Sequence, residues 1–344
     1  MDRHPSATTQ GQSDRLTTPG PPATNASRLH GRTPLLAGSI DIVRLDPTLQ
    51  PPAVRRLADQ IAANVQRGQA KVLKAAARGG VLRVRLKTSN DAGEASAAGG
   101  AGSTRSNETD LVVKWAPAAG VLRRGLERFG VKPTQPARQW RGAELLDHAG
   151  FSTAKPLAWW RSRDPQHGLL DVLVLPWVEG ESVLRLAAST ELAHADRRGL
   201  AESVGRTTRA VALAGLTNRD HKPSNLLARS TGPRGSSQDN AGWRITFVDT
   251  VGVEPRRGPL NMTPPLFNLL VECEGVGVRI SRSERMRVMH AALGWRSGGR
   301  AIGDYAEHRS KPGRKRVRDT VWAIVARRLE KHGDAKPTDD PLRA

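Results

Sequence analysis

The sequence predicts an α+β fold: a small antiparallel sheet in the first half of the chain and a mainly helical second half. Three observations predict it. Short β-type runs separated by Gly turns or loops are concentrated before residue 178. Stretches with apolar residues at helical spacing dominate after residue 179. Between them lie polar segments rich in Gly and Ser, which read as surface loops with no core of their own.

Taken in order, residues 1–35 are rich in Ser, Thr, Pro and Gly and read as a disordered tail. Over 52–66, Val54, Leu57, Ile61 and Val65 recur at helical spacing. Val72-Leu73-Lys74 and the run 81–86 are strands flanking Arg78-Gly79-Gly80, and Leu111-Val112-Val113-Lys114-Trp115 is a third. The segment 87–110 reads as a flexible insertion, because 90–107 holds little besides Gly, Ala, Ser and Thr. A helix over 137–148 carries Trp140, Ala143, Leu145 and Leu146 and stops at Gly150. Two further strands, 156–160 and 170–177, complete a first lobe spanning 36–178.

The second lobe, 179–332, opens with a helix over 191–216 carrying Leu192, Leu200, Val204, Val211 and Leu213. A polar segment follows, then a strand at 245–249 that ends on Asp249. Helices are expected at 265–272 and 283–293, a basic helix at 316–331, and a frayed tail at 333–344. No period of 20–50 residues repeats, which excludes a solenoid.

Composition narrows the function classes. Lys and Arg number 54 against 33 Asp and Glu, a net charge of +21. Such a surface favours anionic partners: nucleic acid, acidic membrane, phosphorylated sugars or lipids. A proteome-wide bias toward Arg gives the same charge with no partner implied. The single Cys273 excludes a disulfide framework and a Cys-rich metal site, and fits a reducing compartment. No apolar segment follows Met1-Asp2-Arg3-His4-Pro5, so a signal peptide is not expected. The best apolar run, 169–178, is interrupted by Asp171 and Pro176 and falls short of the ~20 residues a membrane helix needs. The expectation is a cytoplasmic protein, at most peripheral at the inner face of a membrane.

The informative stretch is Asn218-Arg219-Asp220-His221-Lys222-Pro223-Ser224-Asn225. Phosphoryl transfer needs an acceptor hydroxyl aimed at the γ-phosphorus, metal-bound phosphates held still, and cations for the spreading negative charge. Protein-kinase catalytic loops supply this with H-R-D-x-x-x-x-N, where the Asp takes the hydroxyl proton and the Asn holds magnesium. Arg219, Asp220 and Asn225 fall on that spacing, and Lys222 can reach the transferring phosphate. By chance, D-x-K-x-x-N turns up in roughly one in a few tens of chains this long, so a polar turn is the bland reading.

Its neighbours carry the argument further. Phe247-Val248-Asp249 puts a carboxylate at a strand end, as a second magnesium ligand or as a strand-capping residue. Lys114 sits inside an apolar strand, where lysine rarely lies without a partner; it reads as a nucleotide-phosphate lysine or as an edge lysine whose head reaches water. Gly79 and Gly80 read as a cover over phosphates or as a hairpin turn. Glu144, or Gln139 before Trp140, is the candidate partner for Lys114. His221 reads as a base or, more often for a polar residue beside a catalytic Asp, as a solvated loop residue.

These stretches, with Trp140-Arg141-Gly142-Ala143-Glu144-Leu145-Leu146 and Ala154-Lys155-Pro156-Leu157-Ala158, give the chain a resemblance. It is similar, over about residues 70–305, to the lipopolysaccharide kinase (Kdo/WaaP) family, bacterial enzymes of the protein-kinase-like superfamily. The resemblance implies a bilobal fold, ATP and Mg2+ as cofactors, and a sugar hydroxyl of the lipopolysaccharide core or a related glycolipid as acceptor. It implies Asp220 as the catalytic Asp, Lys222 and Asn225 as phosphate and metal helpers, Asp249 as magnesium ligand and Lys114 as ATP lysine. The chain departs from that pattern at Gln139, where many relatives have Glu, at Asn218 in place of His, and in the length of the 87–110 loop. Three alternatives stand beside it: a Ser/Thr protein kinase, a catalytically degenerate kinase-like binding protein, and a basic nucleic-acid-binding scaffold.

Overall fold

The computed structural model describes residues 40–76, 79–87, 108–118, 133–164, 168–231, 242–258 and 260–294, together with Asp319 and Ala323. The expected N-terminal tail, most of the 87–110 insertion, nearly all of the basic helix at 316–331 and the tail at 333–344 lie outside the described residues.

The chain is a mixed α/β protein in which one antiparallel sheet precedes most of the helices. Six strands, β1 (Ile40–Leu45), β2 (Lys71–Ala76), β3 (Gly79–Lys87), β4 (Glu108–Pro117), β5 (Ala158–Asp164) and β6 (Gly168–Pro176), form it. Their spatial order is β1-β5-β6-β4-β3-β2, and every pair is antiparallel. Helix α1 (Pro51–Gln66) covers one face: Val54, Ala58 and Ile61 cluster with Leu82, Val84, Val113, Trp160, Val172 and Val174. Helix α2 (Gln135–His148) belongs to the other, where Trp140 meets Trp159, Leu173, Leu175 and the partly buried Val112. Successive residues of a strand point to opposite faces. With both faces covered, β6 therefore reads as the near-continuous apolar run seen in the sequence. Ile61 is fully buried, and truncating it to Ala costs about 2–5 kcal/mol.

Strand β1 has no counterpart in the sequence reading. Its charges Asp41 and Arg44 break the apolar pattern, and it forms because Ile40 to Leu45 pairs with Ser162 to Ala158 of β5.

The second half holds β7 (Glu181–Ser182), α3 (Val183–Ala188), α4 (His194–Leu213), β8 (Leu216–Asn218), β9 (Leu226–Ser230), β10 (Trp243–Phe247), β11 (Val253–Pro255), α5 (Thr263–Gly275) and α6 (Arg282–Leu293). Strands β10-β9-β7 form one small sheet and β11-β8 another. Helix α4 packs Leu200, Val204 and Val211 against Leu226, Ala228, Ile245 and Phe247. Gly205 lets α6 approach α4, since a Cβ there would come within 2.4 Å of the Val288 carbonyl oxygen. Helix α6 begins with a capping box, Ser281 accepting from the Glu284 N–H and Glu284 accepting from the Ser281 N–H.

Candidate active site

Alternation along β4 decides which way Lys114 points. Val113 joins the cluster under α1, so Val112 and Lys114 face α2. Lys114 Nζ donates to Gln139 Oε1 at 3.0 Å and to the Val248 carbonyl at 3.4 Å, and lies 3.8 Å from Asp249 Oδ2. Burial pushes the ammonium below its ordinary pKa, the Asp249 carboxylate opposes that shift, and Lys74 adds to it. Lys74 lies opposite Val81, and Val81 opposite Lys114, so both lysines occupy one face of the sheet two strands apart.

Gln139 is almost completely buried and uses its side-chain amide at both ends. Its Nε2 donates to the Val248 carbonyl at 3.1 Å, and its backbone carbonyl accepts from Thr250 Oγ1 at 2.6 Å. One turn on, Gly142 faces the Thr250 carbonyl so closely that a Cβ would sit 2.0 Å from its oxygen. Helix α2 and residues 248–250 are thereby held together.

Glu144 corrects an expectation. It does not partner Lys114; it accepts from Trp140 Nε1 at 2.9 Å and from Arg44 Nη2 at 2.6 Å, with the Arg44 guanidinium 5.0 Å over the Trp140 ring. Five helical residues turn Glu144 about 140° away from Gln139, so only one of the two can face Lys114. Gly79 and Gly80 lie within β3, and Arg78 is outside the described residues. A Cβ at Gly80 would come within 2.8 Å of the Trp115 ring, and one at Gly79 within 2.7 Å of the Trp115 carbonyl oxygen. The close approach of Trp115 accounts for both glycines.

The segment after β8 is shaped by its own side chains. Asn218 Oδ1 accepts the Asp220 N–H at 3.0 Å, and the Arg219 N–H donates to the Gly252 carbonyl at 2.9 Å. Lys222 Nζ sits 2.7 Å from Asp220 Oδ1. Asn225 Nδ2 donates to both Asp220 Oδ2 and the Asp220 carbonyl, each at 3.0 Å. Asp220, Lys222 and Asn225 therefore come together as the sequence spacing implied. Asp249 lies two residues beyond the end of β10 rather than within the strand. The Val248 N–H donates to the Asn225 carbonyl at 3.1 Å, which sets the two acidic segments side by side. Asp249 Oδ1 accepts the Val251 N–H at 3.3 Å, and Oδ2 faces Lys114.

Helix α5 supports this loop in a way the sequence reading did not find. Glu272 accepts from Ser224 N at 2.9 Å and Ser224 Oγ at 2.6 Å, and Asn268 Nδ2 donates to the Arg219 carbonyl at 2.8 Å. Arg219 pairs with Glu254. These are contacts across 35 to 49 residues, and no local pattern announces them.

His221 is the other correction. It is buried, not solvated, with its ring centroid 5.9 Å from that of Phe247. Nε2 lies 2.9 Å from Thr208 Oγ1, whose one proton goes to the Val204 carbonyl at 2.8 Å. The hydroxyl must then accept from Nε2–H, which leaves Nδ1 unprotonated; among the described residues it has no partner. Burial pushes the imidazole pKa down to about 4.

Among the described residues no group of three or more His, Cys, Asp and Glu could hold a metal ion. The donor set of Asn225 and Asp249 nonetheless fits magnesium, which takes one or two protein carboxylates and completes its octahedron with phosphates and water. With both Asn225 Nδ2 hydrogens given to Asp220, its Oδ1 is left as an acceptor. Among the described residues no helix is long and apolar enough to cross a membrane.

No protein-family model matches the chain, and no curated protein matches it. Among solved structures, it is similar to one described as WaaP in complex with acyl carrier protein, at 16% identity and a TM-score of 0.46. That similarity covers 77% of this chain and 90% of the other.

Proposed function

We propose that this protein is an ATP- and magnesium-dependent phosphotransferase with a kinase-like bilobal arrangement, acting on an alcohol group. The observation that carries the reading is the convergence of five side chains from three parts of the sequence. Asp220, Lys222 and Asn225 form one hydrogen-bonded set, and a backbone bond from Val248 to Asn225 joins it to Asp249 and Lys114. The sheet up to β6 would serve as the first lobe and the remainder as the second.

In this reading Asp220 accepts the proton of the acceptor hydroxyl. Lys222 and Asn225 each hold one of its carboxylate oxygens, which fixes the direction from which the hydroxyl approaches. Lys222 also meets the charge spreading over the transferred phosphoryl group. Asp220 and Lys222 are 37% and 44% exposed, open enough for a substrate to reach. Lys114 pairs with nucleotide phosphates, and Gly79 and Gly80 lie over them. Asn225 Oδ1 and Asp249 would hold Mg2+, which would supply positive charge to offset that of the nucleotide phosphates. His221, buried and neutral, anchors the loop from behind and takes no part in proton transfer.

For the acceptor, the net charge of +21 favours an anionic molecule, and a sugar hydroxyl of lipopolysaccharide core or a related glycolipid suits that charge and the resemblance in the motifs. ATP turnover with lipopolysaccharide-core, glycolipid and protein acceptors tests the reading. Turnover with a soluble protein and none with a glycolipid would replace this acceptor with a Ser/Thr protein. Binding of ATP without turnover on any acceptor would leave a degenerate kinase-like protein.

A further inference from the structure

Gln139 stands where the likeness to kinases calls for a glutamate, and its hydrogen bonds say why an amide is there. Its Oε1 accepts from Lys114 Nζ at 3.0 Å, and its Nε2 donates to the Val248 carbonyl at 3.1 Å. The two ends are not interchangeable. An ammonium only donates and a carbonyl only accepts, so this position needs one acceptor and one donor on the same side chain. An amide supplies both. An ionised carboxylate supplies two acceptors, and one of them would face the Val248 carbonyl oxygen with no hydrogen between them.

Burial sharpens the mismatch, because Gln139 is only 2% exposed and water has little access to mediate it. The backbone leaves no room to swing away either. The Gln139 carbonyl is tied to Thr250 Oγ1 at 2.6 Å, and Gly142 lies against the Thr250 carbonyl. Around Lys114, Asp249 lies at 3.8 Å on the segment after β10, Lys74 lies on β2, and α2 contributes this neutral amide. A carboxylate on α2 would share the Lys114 charge with any phosphate that approached it.

We propose that Gln139 is a positioning residue whose neutral amide this site requires: it holds Lys114 and the Val248 carbonyl in one arrangement and leaves the ammonium's charge for the polyphosphate of a nucleotide. The proposal rests on the nucleotide reading above. On this view the Gln is fitted to its surroundings and is no trace of a lost Lys–Glu bridge.

The test is a calorimetric titration of the full chain with MgATP and, separately, with adenosine, for the unaltered protein, Gln139→Glu and Gln139→Leu. The unaltered protein binds MgATP more tightly than adenosine. Gln139→Glu weakens MgATP on the order of tenfold, the scale of losing hydrogen bonds to a charged group, and leaves adenosine unchanged. Gln139→Leu, which removes both bonds without adding charge, weakens MgATP less than Gln139→Glu does and also leaves adenosine unchanged. If Gln139→Glu does not fold, a selective loss of MgATP binding in Gln139→Leu supports the proposal, and unchanged binding overturns it. MgATP bound by Gln139→Glu as tightly as by the unaltered protein, or more tightly, overturns the proposal and leaves the nucleotide reading standing. Equal losses for both ligands overturn it in favour of a general structural role. An unaltered protein that does not bind MgATP overturns the nucleotide reading itself, and the proposal with it.

Discussion

Acidification should destabilise this protein through His221 before most carboxylates titrate. The folded imidazole has a pKa of about 4 against 6.5 in the unfolded chain, so between those values the unfolded state binds a proton that the folded state refuses. The stabilisation is fully present above pH 6.5 and is lost as pH falls toward 4. Its full size is about 3 kcal/mol, at 1.36 kcal/mol for each pKa unit, and about 2 kcal/mol of it disappears between pH 7 and pH 5. That is a large share of the 5–15 kcal/mol typical of a folded chain. The physical origin is Nδ1, buried without a partner among the described residues, where a proton would create a charge with nothing to accept it. The assay is urea unfolding of the full chain at pH 7, 6 and 5, compared with His221→Gln. That variant can still donate to Thr208 but cannot titrate, and it loses the ring contact with Phe247 at every pH alike. The carboxylates held low, Asp46, Asp110 and Glu284, act equally in both proteins, so the difference between the two pH slopes isolates His221. Between pH 7 and pH 5 the unaltered midpoint should fall by roughly 0.5–1 M more than the variant's. Parallel slopes would refute the reasoning.

Three further outcomes follow from the site. Asp220→Ala should lower turnover by about 10²–10⁴-fold while nucleotide binding stays close to normal, since the proposed role is at the acceptor hydroxyl; near-normal turnover defeats the assignment. Asp249→Asn should weaken the magnesium dependence of nucleotide binding far more than Glu254→Gln, because Asp249 faces Lys114 while Glu254 pairs with the exposed Arg219. Equal effects of the two changes count against a metal site. The net charge of +21 predicts stronger binding to vesicles of anionic lipid or lipopolysaccharide than to neutral ones, falling steeply between low and physiological salt. Indifference to anionic vesicles at low salt, together with efficient phosphorylation of a soluble protein, would exchange the glycolipid acceptor for a protein one.

Legibility in the sequence followed the range of the interactions. The strands around Val81, Leu111 and Val172 and the helices around Ile61, Trp140 and Val204 were readable because burial imposes a period of two or 3.6 on neighbouring residues. Strand β1 was not, since its place depends on an edge offered by β5 more than a hundred residues later. The Asp220–Asn225 set was readable because its bonds are local. Glu144 was misread for a different reason. A helix shows which residues share a face, but not which face meets a given lysine, and Arg44 on the unread β1 was the missing half of its environment. His221 was missed because a polar residue between two polar residues carries no sign of burial until the partner Thr208, thirteen residues back, is brought beneath it.

The departures from the kinase-like pattern are also connected to one another. Asn218 accepts the Asp220 N–H, and Gly252 lies against both: a Cβ there would come within 2.6 Å of the Asp220 nitrogen and 2.8 Å of Asn218 Oδ1. The Gly252 carbonyl in turn accepts the Arg219 N–H. Thr250, two residues before that glycine, donates to the Gln139 carbonyl, and the Gln139 amide joins Lys114 to Val248. A chain of contacts therefore runs from the substituted Asn218 to the substituted Gln139 through residues 248–252. Along this chain one side-chain polar atom, Asn218 Nδ2, is buried without a partner among the described residues, at a cost of about 1–3 kcal/mol. Altering either end alone should therefore cost more than its own bonds, because the segment between them carries Asp249. Gln139, Asn218 and the segment that carries Asp249 therefore form one connected unit, and a change at either end is expected to displace the Asp249 carboxylate from its place 3.8 Å from Lys114.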